Sequence, residues 1–282
     1  MMNKLQISVV VHTLNEENNI RNCLESVKWA DEIIIIDNYS DDKTVDIARV
    51  YTDKIFSYER TGLPEHARKF AISKTSNEWV LIVDADEMVP VQLMKKLESI
   101  VVDDEADVVS IPHSNYFFGH LMQYTGWGPM QNLHYRFYKK SYVEVNNKVH
   151  SEPVIAEDAR LISIENPEEG FIHFNYMDVE HFIEKMNRYT TLEAKLLYDA
   201  GEDLNSRQLV LRIFGEFKLR YISFKGYKEG FNGLSMSLMM AMYRLSVYMK
   251  LKTMRNCKSN DPRTEVRKEY QEIADKIMEE YD

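Results

Sequence analysis

The sequence predicts an α/β fold: a mostly parallel sheet with helices on both faces, followed by a helical region at the C-terminal end. Three observations support this prediction. The first hundred residues alternate short β-branched runs with amphipathic helical patterns, strand patterns continue to about residue 174, and almost everything after residue 178 is helical in pattern. We therefore expect a sheet-containing domain over residues 1–200 and a helical extension over residues 201–282.

Three apolar runs near the N-terminus predict buried strands, because each is short, rich in β-branched residues and bounded by polar residues. They are LQISVVV (5–11), EIIIID (32–37) and EWVLIVD (78–84). Helical patterns lie between and after these strands. The first has an apolar stripe at Ile20, Leu24 and Val27, and the second starts at SDDKT before Val45. The third covers Pro64–Ser73, and the fourth starts at Pro90. Strand–helix–strand repetition predicts parallel neighbours, whose carboxyl ends meet at the edge where ligands bind.

Further strands are predicted beyond residue 107, where the helical pattern stops for about seventy residues. The runs VVSIP, LHYRFYKK, YVEVN and GFIHF have the composition of strands and predict a mixed extension of the sheet. Helices are predicted over roughly 178–200, 207–223, 233–251 and 262–281.

Composition restricts the possible functions. The chain has 282 residues, 44% of them hydrophobic and 28% charged, as in a globular protein. Its net charge of −10 argues against nucleic acid as a partner. Two cysteines, Cys23 and Cys257, are too few for a disulfide framework and favour a reducing compartment. We expect neither a signal peptide nor a spanning helix, since no run reaches about 18 apolar residues.

A cluster of carboxylates follows the third predicted strand. Asp84, Asp86 and Glu87 come directly after WVLIV. If the extended conformation persists beyond Val83, Asp84 and Asp86 face the same side of the sheet. Two such carboxylates can hold a hard divalent cation, which in turn can clamp a departing diphosphate. The alternative is a solvated turn that only ends the strand.

Polar residues also follow the first two strands, where they suit a nucleotide. They are Thr13, Asn15 and Glu16 after the first strand, and Asp37, Ser40 and Asp41 after the second. The carboxylate of Asp37 at the sheet edge can accept a hydrogen bond from a base, and the Arg68 guanidinium suits a phosphate or a base. The structural alternative is that Ser40 or Asp41 only caps the next helix.

Several motifs together resemble a known family. They are VVVHTLNEENNI, IIIIDNYSDDKT, ARKFAI, WVLIVDADE, GWGPMQNLHYRFYKK, VH at 149–150, IHFNY and KMNRYTTLEAK. In this order they resemble glycosyltransferase family 2 on the Rossmann-like GT-A fold. Within that family the pattern is similar to the bacterial lipopolysaccharide core β-glucosyltransferases. The resemblance covers roughly residues 5–250 and does not specify the sugar.

The resemblance implies an inverting, metal-dependent transfer of a sugar from a nucleotide-diphosphate sugar, which we expect to be UDP-linked. The implied acceptor is a hydroxyl of a glycan or of a lipid-linked molecule. The implied process is the biosynthesis of cell-envelope polysaccharide or lipopolysaccharide. The resemblance also implies that the nucleoside pocket is lined by Thr13, Asn15, Glu16 and Asp37, and that Arg68 lies near the base or diphosphate. Asp84 is expected to touch the ribose or the metal side, and Asp86 to ligate Mn²⁺ or Mg²⁺. Glu87 is expected to hold the loop.

An inverting transfer needs a base for the acceptor hydroxyl. Many family members use an acidic residue of an ED pair, but Glu157–Asp158 falls where a turn is predicted. The similar enzymes have VHE where this chain has VHSE, so His150 matches and Glu152 is displaced by one residue, which turns its side chain to the other face of a strand. We rank the candidates Glu152, His150 and then Asp158.

The histidines have competing interpretations. His150 can instead ligate the metal, since imidazole suits Mn²⁺. His173 matches a family position and is a candidate metal or diphosphate ligand, or else a hydrogen-bonded core histidine. Trp127 is a candidate to stack on the acceptor sugar. The remaining histidines belong to no recognisable constellation: His12, His66, His113, His120, His134 and His181.

Residues 207–258 contain eleven basic and two acidic residues, although the whole chain has a net charge of −10. Aromatic residues are interleaved with the basic ones. Basic amphipathic helices with aromatic residues lie in membrane interfaces and are attracted by anionic lipid. We expect peripheral association with the cytoplasmic face of the cell membrane; the alternative is ordinary core packing or an oligomer interface.

Three rival functions remain. A sugar-phosphate nucleotidyltransferase needs a glycine-rich phosphate loop near the N-terminus, which HTLNEENNI lacks. A phosphohydrolase with a D-x-D nucleophile needs Thr or Val after the motif, where this chain has Glu87. A non-catalytic, membrane-docked scaffold would not need Asp37, Asp84 and Asp86 together.

Overall fold

The computed structural model describes residues 6–59, 64–144, 153–202 and 205–281, and gives the backbone alone for residues 64–66 and 206. The chain divides into two compact units, Met1–Asp178 and Val179–Asp282. The strands of the first unit are β1 (Ile7–Thr13), β2 (Glu32–Asp37), β3 (Ile55–Ser57), β4 (Trp79–Asp84), β5 (Glu87–Met88), β6 (Val108–Phe117), β7 (His120–Leu121), β8 (Leu133–Lys139), β9 (Val143–Glu144), β10 (Val154–Ile155), β11 (Leu161–Ser163) and β12 (Phe171–Tyr176). Its helices are α1 (Ile20–Val27), α2 (Thr44–Ala48), α3 (Pro64–Ser73) and α4 (Val91–Asp103).

The main sheet has the strand order β3-β2-β1-β4-β8-β6-β12-β5, with β7 and β11 also paired to β6. The half built from β3, β2, β1 and β4 is parallel throughout. In the other half β8 runs antiparallel to both β4 and β6, while β12 is parallel to β6. The structure thus confirms a sheet with a parallel half and a mixed extension.

Both faces of the parallel half are buried. Val9, Leu81 and their neighbours form one core with α1 and α4, whereas Val10 and Ile82 form a second core with α3 on the opposite face. Alternation along each strand sends successive side chains to opposite faces, so strands covered by helices on both sides are apolar throughout. The predicted layers, with helices on both faces, are confirmed.

The second unit is helical. Its helices are α5 (Val179–Asp199), α6 (Ser206–Lys218), α7 (Phe231–Cys257) and α8 (Pro262–Met278). Ala194 of α5 packs with Val247, Leu251 and Met254 of α7. This shared core places α5 in the helical unit, so the compact units divide about twenty residues before the boundary proposed from the sequence. Among the described residues, none of the helices combines the length and hydrophobicity needed to span a bilayer.

Candidate active site

The acidic cluster lies where β4 ends at the carboxyl edge of the parallel half. The strand does not continue past Asp84; Ala85 and Asp86 form a turn that leads into β5. The backbone N–H of Asp84 donates to Glu87 Oε2 at 2.8 Å, and that of Ala85 donates to the carbonyl of His12 at 3.0 Å. Because the chain turns, the extended arrangement considered from the sequence is not realised, and Asp84 and Asp86 meet different partners.

Asp84 is paired with a buried arginine. The Arg136 Nη2 atom lies 2.8 Å from Asp84 Oδ2 and 3.6 Å from Glu87 Oε1. Burial by itself raises the pKa of Asp84, but the charge and hydrogen bond of Arg136 outweigh it and hold that pKa well below its usual range, with a smaller contribution from Arg68. Asp84 is therefore ionised and fixed in orientation.

Asp86 is brought next to His173 by strand pairing. β5 pairs antiparallel with β12 so that Glu87 lies opposite His173, and the Phe174 N–H donates to the Asp86 carbonyl at 3.0 Å. The result is a distance of 3.4 Å between His173 Nε2 and Asp86 Oδ2. Burial lowers the pKa of His173, but the Asp86 carboxylate outweighs burial and raises it.

Polar contacts behind the ring fix the orientation of His173. Its Nδ1 atom lies 2.9 Å from Asn115 Oδ1, and the Asn115 amide donates to the Trp127 carbonyl at 2.9 Å. Trp127 itself packs edge-on against Phe117, with ring centroids 5.1 Å apart. Since Nδ1 faces Asn115, Nε2 is the ring nitrogen directed at Asp86.

Histidines that matched no recognisable pattern in the sequence also surround the cluster. His113 Nε2 lies 3.3 Å from Glu87 Oε1, and its ring contacts that of His134 at 4.9 Å between centroids. Burial lowers the pKa of His113 and lowers that of His134 to about 3, so both rings are neutral. Glu87 is fully buried and bonded to the Asp84 backbone, which agrees with its predicted role of holding the loop.

His12 occupies the neighbouring strand, opposite Asp84 in the β1–β4 register. It is buried, and within the described part of the chain neither ring nitrogen has a hydrogen-bond partner. Burial lowers its pKa to about 4. Sequence reasoning missed His12, His113 and Arg136. Only Arg136 gives a signal in the sequence, as the one Arg or Lys inside the run LHYRFY before the two terminal lysines.

The loops after β1 and β2 lie together, as predicted for the nucleoside side. Thr13 pairs with Asp37 in the sheet register. The Asn15 side-chain amide donates to Asp41 at 2.9 Å and its backbone N–H donates to Ser40 Oγ at 2.9 Å. Asn15 has a φ of 57°, a left-handed conformation that asparagine tolerates better than most residues. Asn15 thus joins the two loops.

Two further predicted residues have definite places beside these loops. The Asp37 carboxylate accepts the N–H of Ser40 at 3.1 Å, so it closes its own turn at the sheet edge. Glu16 begins the approach to α1: its carbonyl accepts the Ile20 N–H at 2.8 Å and its carboxylate accepts from Asn19. Thr13, Asn15, Glu16 and Asp37 are therefore brought together at one edge.

The candidate bases are not all described. Glu152 and His150 lie outside the described residues. Asp158 is exposed in a turn that leads to Arg160, whose side chain donates to Asp107 at 2.9 Å just before β6 begins. That end of β6 lies level with Val80, near the start of β4, because Val108 and Val80 both pair with Tyr138. Asp158 is therefore at the amino edge of the sheet and is not brought together with Asp84 or Asp86.

The donor atoms of Asp86 and His173 fit a divalent cation only in part. A carboxylate and an imidazole together suit Mn²⁺. Yet among the described residues no group of three or more His, Cys, Asp or Glu side chains is close enough to hold a metal ion. A cation bound here would take its remaining ligands from water and from a diphosphate, as in sites that bind metal together with substrate.

Comparisons with known proteins add evidence from sequence similarity. The profile of the family described as "Glycosyl transferase family 2" matches residues 8–160. The chain is 28% identical over 259 residues to an uncharacterized glycosyltransferase of Rickettsia typhi, covering 88% of this chain and 87% of that protein. It is 26% identical over 246 residues to the lipopolysaccharide core biosynthesis glycosyltransferase LpsC of Rhizobium meliloti, covering 83% and 89%.

Among solved structures, the fold is similar to the mannosyltransferase PcManGT of Pyrobaculum calidifontis, a structure in complex with GDP-Man and Mn²⁺. The TM-score is 0.51 at 14% sequence identity, over 87% of this chain and 86% of that one. At this identity the likeness concerns the fold alone.

Proposed function

The chain belongs to glycosyltransferase family 2, and we propose that it moves a sugar from a nucleotide-diphosphate sugar to a hydroxyl of a glycan or lipid-linked acceptor. The chain is a glycosyltransferase. We further propose that transfer inverts the anomeric centre, depends on Mn²⁺ or Mg²⁺ and uses a UDP-linked donor. The observation that carries this proposal is the Asp86–His173 pair at the carboxyl edge, 3.4 Å apart, beside the joined loops after β1 and β2.

Each part of the edge has a role in this proposal. Asp86 and His173 would hold the cation, which when bound neutralises charge on the departing diphosphate. Asp84, kept ionised by Arg136, would accept a hydrogen bond from a ribose hydroxyl or lie on the metal side of the site. Arg68 provides a positive charge close to Asp84 and suits the base or diphosphate.

The nucleoside is proposed to lie against the loops that follow β1 and β2. Thr13, Asn15, Glu16 and Asp37 come together there, and the cross-loop hydrogen bonds of Asn15 fix the shape of the pocket wall before a ligand arrives. A preformed wall lowers the ordering cost of binding. For the acceptor base we keep the order Glu152, His150 and Asp158.

The acceptor is proposed to be a lipid-borne glycan of the cell envelope, met at the cytoplasmic face of the membrane. Support for the envelope comes from LpsC, which is described as a lipopolysaccharide core biosynthesis enzyme and matches this chain over most of both lengths. The acceptor of LpsC itself is a property of that protein.

A thermal-shift panel tests the donor proposal. The full chain is mixed with UDP, GDP, dTDP and the corresponding nucleotide-sugars, each with and without Mn²⁺. A ligand of the native state raises the melting temperature according to its concentration and affinity. We expect a uridine nucleotide to give a shift that requires Mn²⁺. A shift by another nucleotide with Mn²⁺ would reject the UDP assignment alone, and no shift by any nucleotide would reject the proposed donor class.

A transfer assay then separates the proposed reaction from nucleotide transfer. With the donor found in the panel and an acceptor glycan extract, release of nucleoside diphosphate is the expected product. Formation of a sugar nucleotide and pyrophosphate from a nucleoside triphosphate and a sugar phosphate would contradict the proposal.

A further inference from the structure

Helix α6 has an apolar face directed at solvent. Val210, Leu211 and Phe214 are 50%, 64% and 68% exposed. The opposite side of the helix carries Glu216, which is buried and whose Oε2 accepts from Arg244 of α7 at 3.0 Å. The side of α6 that carries this ion pair also contains the half-buried Leu209 and Ile213, as in an ordinary surface helix, but a second set of large apolar side chains faces outward.

Basic residues lie at both ends of this apolar patch. Helical spacing places Arg207 one turn before Leu211, and Lys218 one turn after Phe214, on the same side of the helix. Both are exposed. We call Arg207, Val210, Leu211, Phe214 and Lys218 the α6 face. An apolar centre with a cation at either end is the pattern of helices that lie in a membrane interface.

The exposed charges around the α6 face are all positive. The described residues between Asn205 and Lys228 include one acid, Glu216, and it is buried against Arg220 at 2.6 Å and Arg244 at 3.0 Å. The exposed charged side chains of this stretch are Arg207, Arg212, Lys218, Lys225 and Lys228. Arg220, by contrast, belongs to the interior ion pair and adds nothing to the exposed positive charge.

Exposed apolar side chains continue beyond the helix. Ile222 and Tyr227, between α6 and α7, are 52% and 49% exposed, and Phe231, the first residue of α7, is 81% exposed. Single exposed apolar residues are common on protein surfaces, but seven within about twenty residues, with Leu219 as the seventh, mark an interaction site.

We propose that the α6 face docks onto the headgroup layer of an anionic lipid bilayer, with Leu211 and Phe214 inserted among the upper acyl chains and Arg207 and Lys218 at the phosphates. The charges on the α6 face favour an anionic bilayer over two other partners. A two-fold contact between copies of the chain would set the same basic residues against each other. Nucleic acid would leave the apolar centre uncovered. Only an anionic surface with an apolar interior satisfies both halves of the pattern.

Vesicle co-sedimentation of the full chain tests this proposal and needs no turnover. Vesicles of phosphatidylcholine alone are compared with vesicles that contain phosphatidylglycerol, at low and high salt. We expect binding to the anionic vesicles, weakened by salt. The variant Leu211→Ser with Phe214→Ser removes the apolar centre, and the triple variant Arg207→Glu, Arg212→Glu and Lys218→Glu removes the charge; each should lower vesicle affinity by at least about tenfold.

Matched controls lie on α8, in the same unit. Arg263→Glu, Arg267→Glu and Lys276→Glu change the net charge equally at exposed positions and should bind as the wild type does. Circular dichroism and melting temperature verify that each variant is folded. The proposal is overturned if the wild-type chain does not bind anionic vesicles, or if the α6 and α8 variants lose vesicle affinity equally. A change of oligomeric state in the Leu211/Phe214 variant without vesicle binding would instead assign the face to a second copy.

This test is independent of the donor panel. If the chain binds vesicles but no nucleotide, the docking proposal stands and the proposed function fails. If it binds a nucleotide but no vesicles, the proposed function stands and the docking proposal fails.

Discussion

The guanidinium of Arg136 lies 2.8 Å from the Asp84 carboxylate, although 52 residues separate them in the chain. β8 lies directly beside β4 in the sheet, which brings the two residues together. The same guanidinium is 3.6 Å from Glu87, so two carboxylates of the DADE motif share one cation. The Arg136 side chain is 11% exposed, which makes this a largely desolvated ion pair.

Removing Arg136 should destabilise the protein strongly. Arg136→Ala leaves Asp84 and Glu87 without their cation, and breaking one side of a buried pair typically costs about 3–5 kcal/mol. We expect a fall of that size in the free energy of unfolding, measured by urea denaturation at pH 7. Arg49→Ala is the control, because its pair with Asp46 is exposed and should be worth less than about 1 kcal/mol. Equal effects of the two variants would contradict a buried, stabilising role for Arg136.

Asp86→Asn and His173→Ala should each abolish the Mn²⁺-dependent part of the nucleotide thermal shift. Each removes one of the two proposed cation ligands. Asp86→Asn keeps the size of the side chain, so its melting temperature without ligands should move little, whereas His173→Ala also loses the contact with Asn115 and should lower that temperature. Turnover should fall by at least about a hundredfold, as expected when the group that stabilises the leaving diphosphate is lost. Asp46→Asn, an exposed carboxylate on α2, is the control. Full activity of Asp86→Asn would disprove the metal assignment.

Glu32 should contribute stability that is lost in acid. It is buried, and its carboxylate accepts from Ser8, from Lys54, and from the N–H and hydroxyl of Ser76, the last two at 2.8 Å. Burial raises the pKa of Glu32, but these hydrogen bonds outweigh it and lower the pKa from 4.5 to about 2. A folded-state pKa below the unfolded value stabilises the protein above pH 4.5, and this contribution disappears as the pH falls toward 2.

Glu32→Gln should therefore lower the free energy of unfolding by up to about 3 kcal/mol at pH 7, since each pKa unit corresponds to about 1.4 kcal/mol. The difference from the wild type should shrink between pH 4.5 and 2, which urea denaturation over that range measures. Glu105→Gln, at an exposed pair with Lys96, should leave the pH profile unchanged. A constant difference at every pH would assign the effect to packing instead of charge.

Glu152→Gln and His150→Ala should separate the base from a metal ligand. Loss of the base lowers the rate of transfer and leaves Mn²⁺ affinity intact, whereas loss of a metal ligand lowers both. We expect Glu152→Gln to show the first pattern. Mn²⁺ titration monitored by the nucleotide thermal shift, together with single-turnover rates, distinguishes the two. Asp158→Asn should leave rate and affinity near wild type, and a large rate loss in that variant would reverse the order of candidates.

Local patterns predicted the parallel half of the fold well. The interval Pro64–Ser73 was predicted as a helix and is α3, and Pro90 stands immediately before α4. These successes rest on signals within a few residues: β-branched runs, apolar stripes and proline at helix starts. The same local signals placed Asp84 and Asp86 at a strand end.

The partners of those carboxylates could not be read from local patterns. Arg136 and His113 reach Glu87 because β8 and β6 pair beyond β4 in an order that differs from the order along the chain. His173 reaches Asp86 through the two-residue strand β5, which is too short to leave a periodic signal. A contact between residues on distant strands leaves little trace in the sequence. For Arg136 the only trace is a charged residue inside a run of mostly apolar and aromatic residues.

The insertion of β8 between β4 and β6 has a consequence during synthesis. Until Leu133–Lys139 has left the ribosome, the nascent sheet β3-β2-β1-β4 presents the backbone groups of Trp79–Asp84 as an unpaired edge. The strand that must cover this edge is made about fifty residues after it, several seconds later at ordinary rates of translation. The apolar strand that ends in the acidic cluster is therefore open to pairing with other chains until β8 is made.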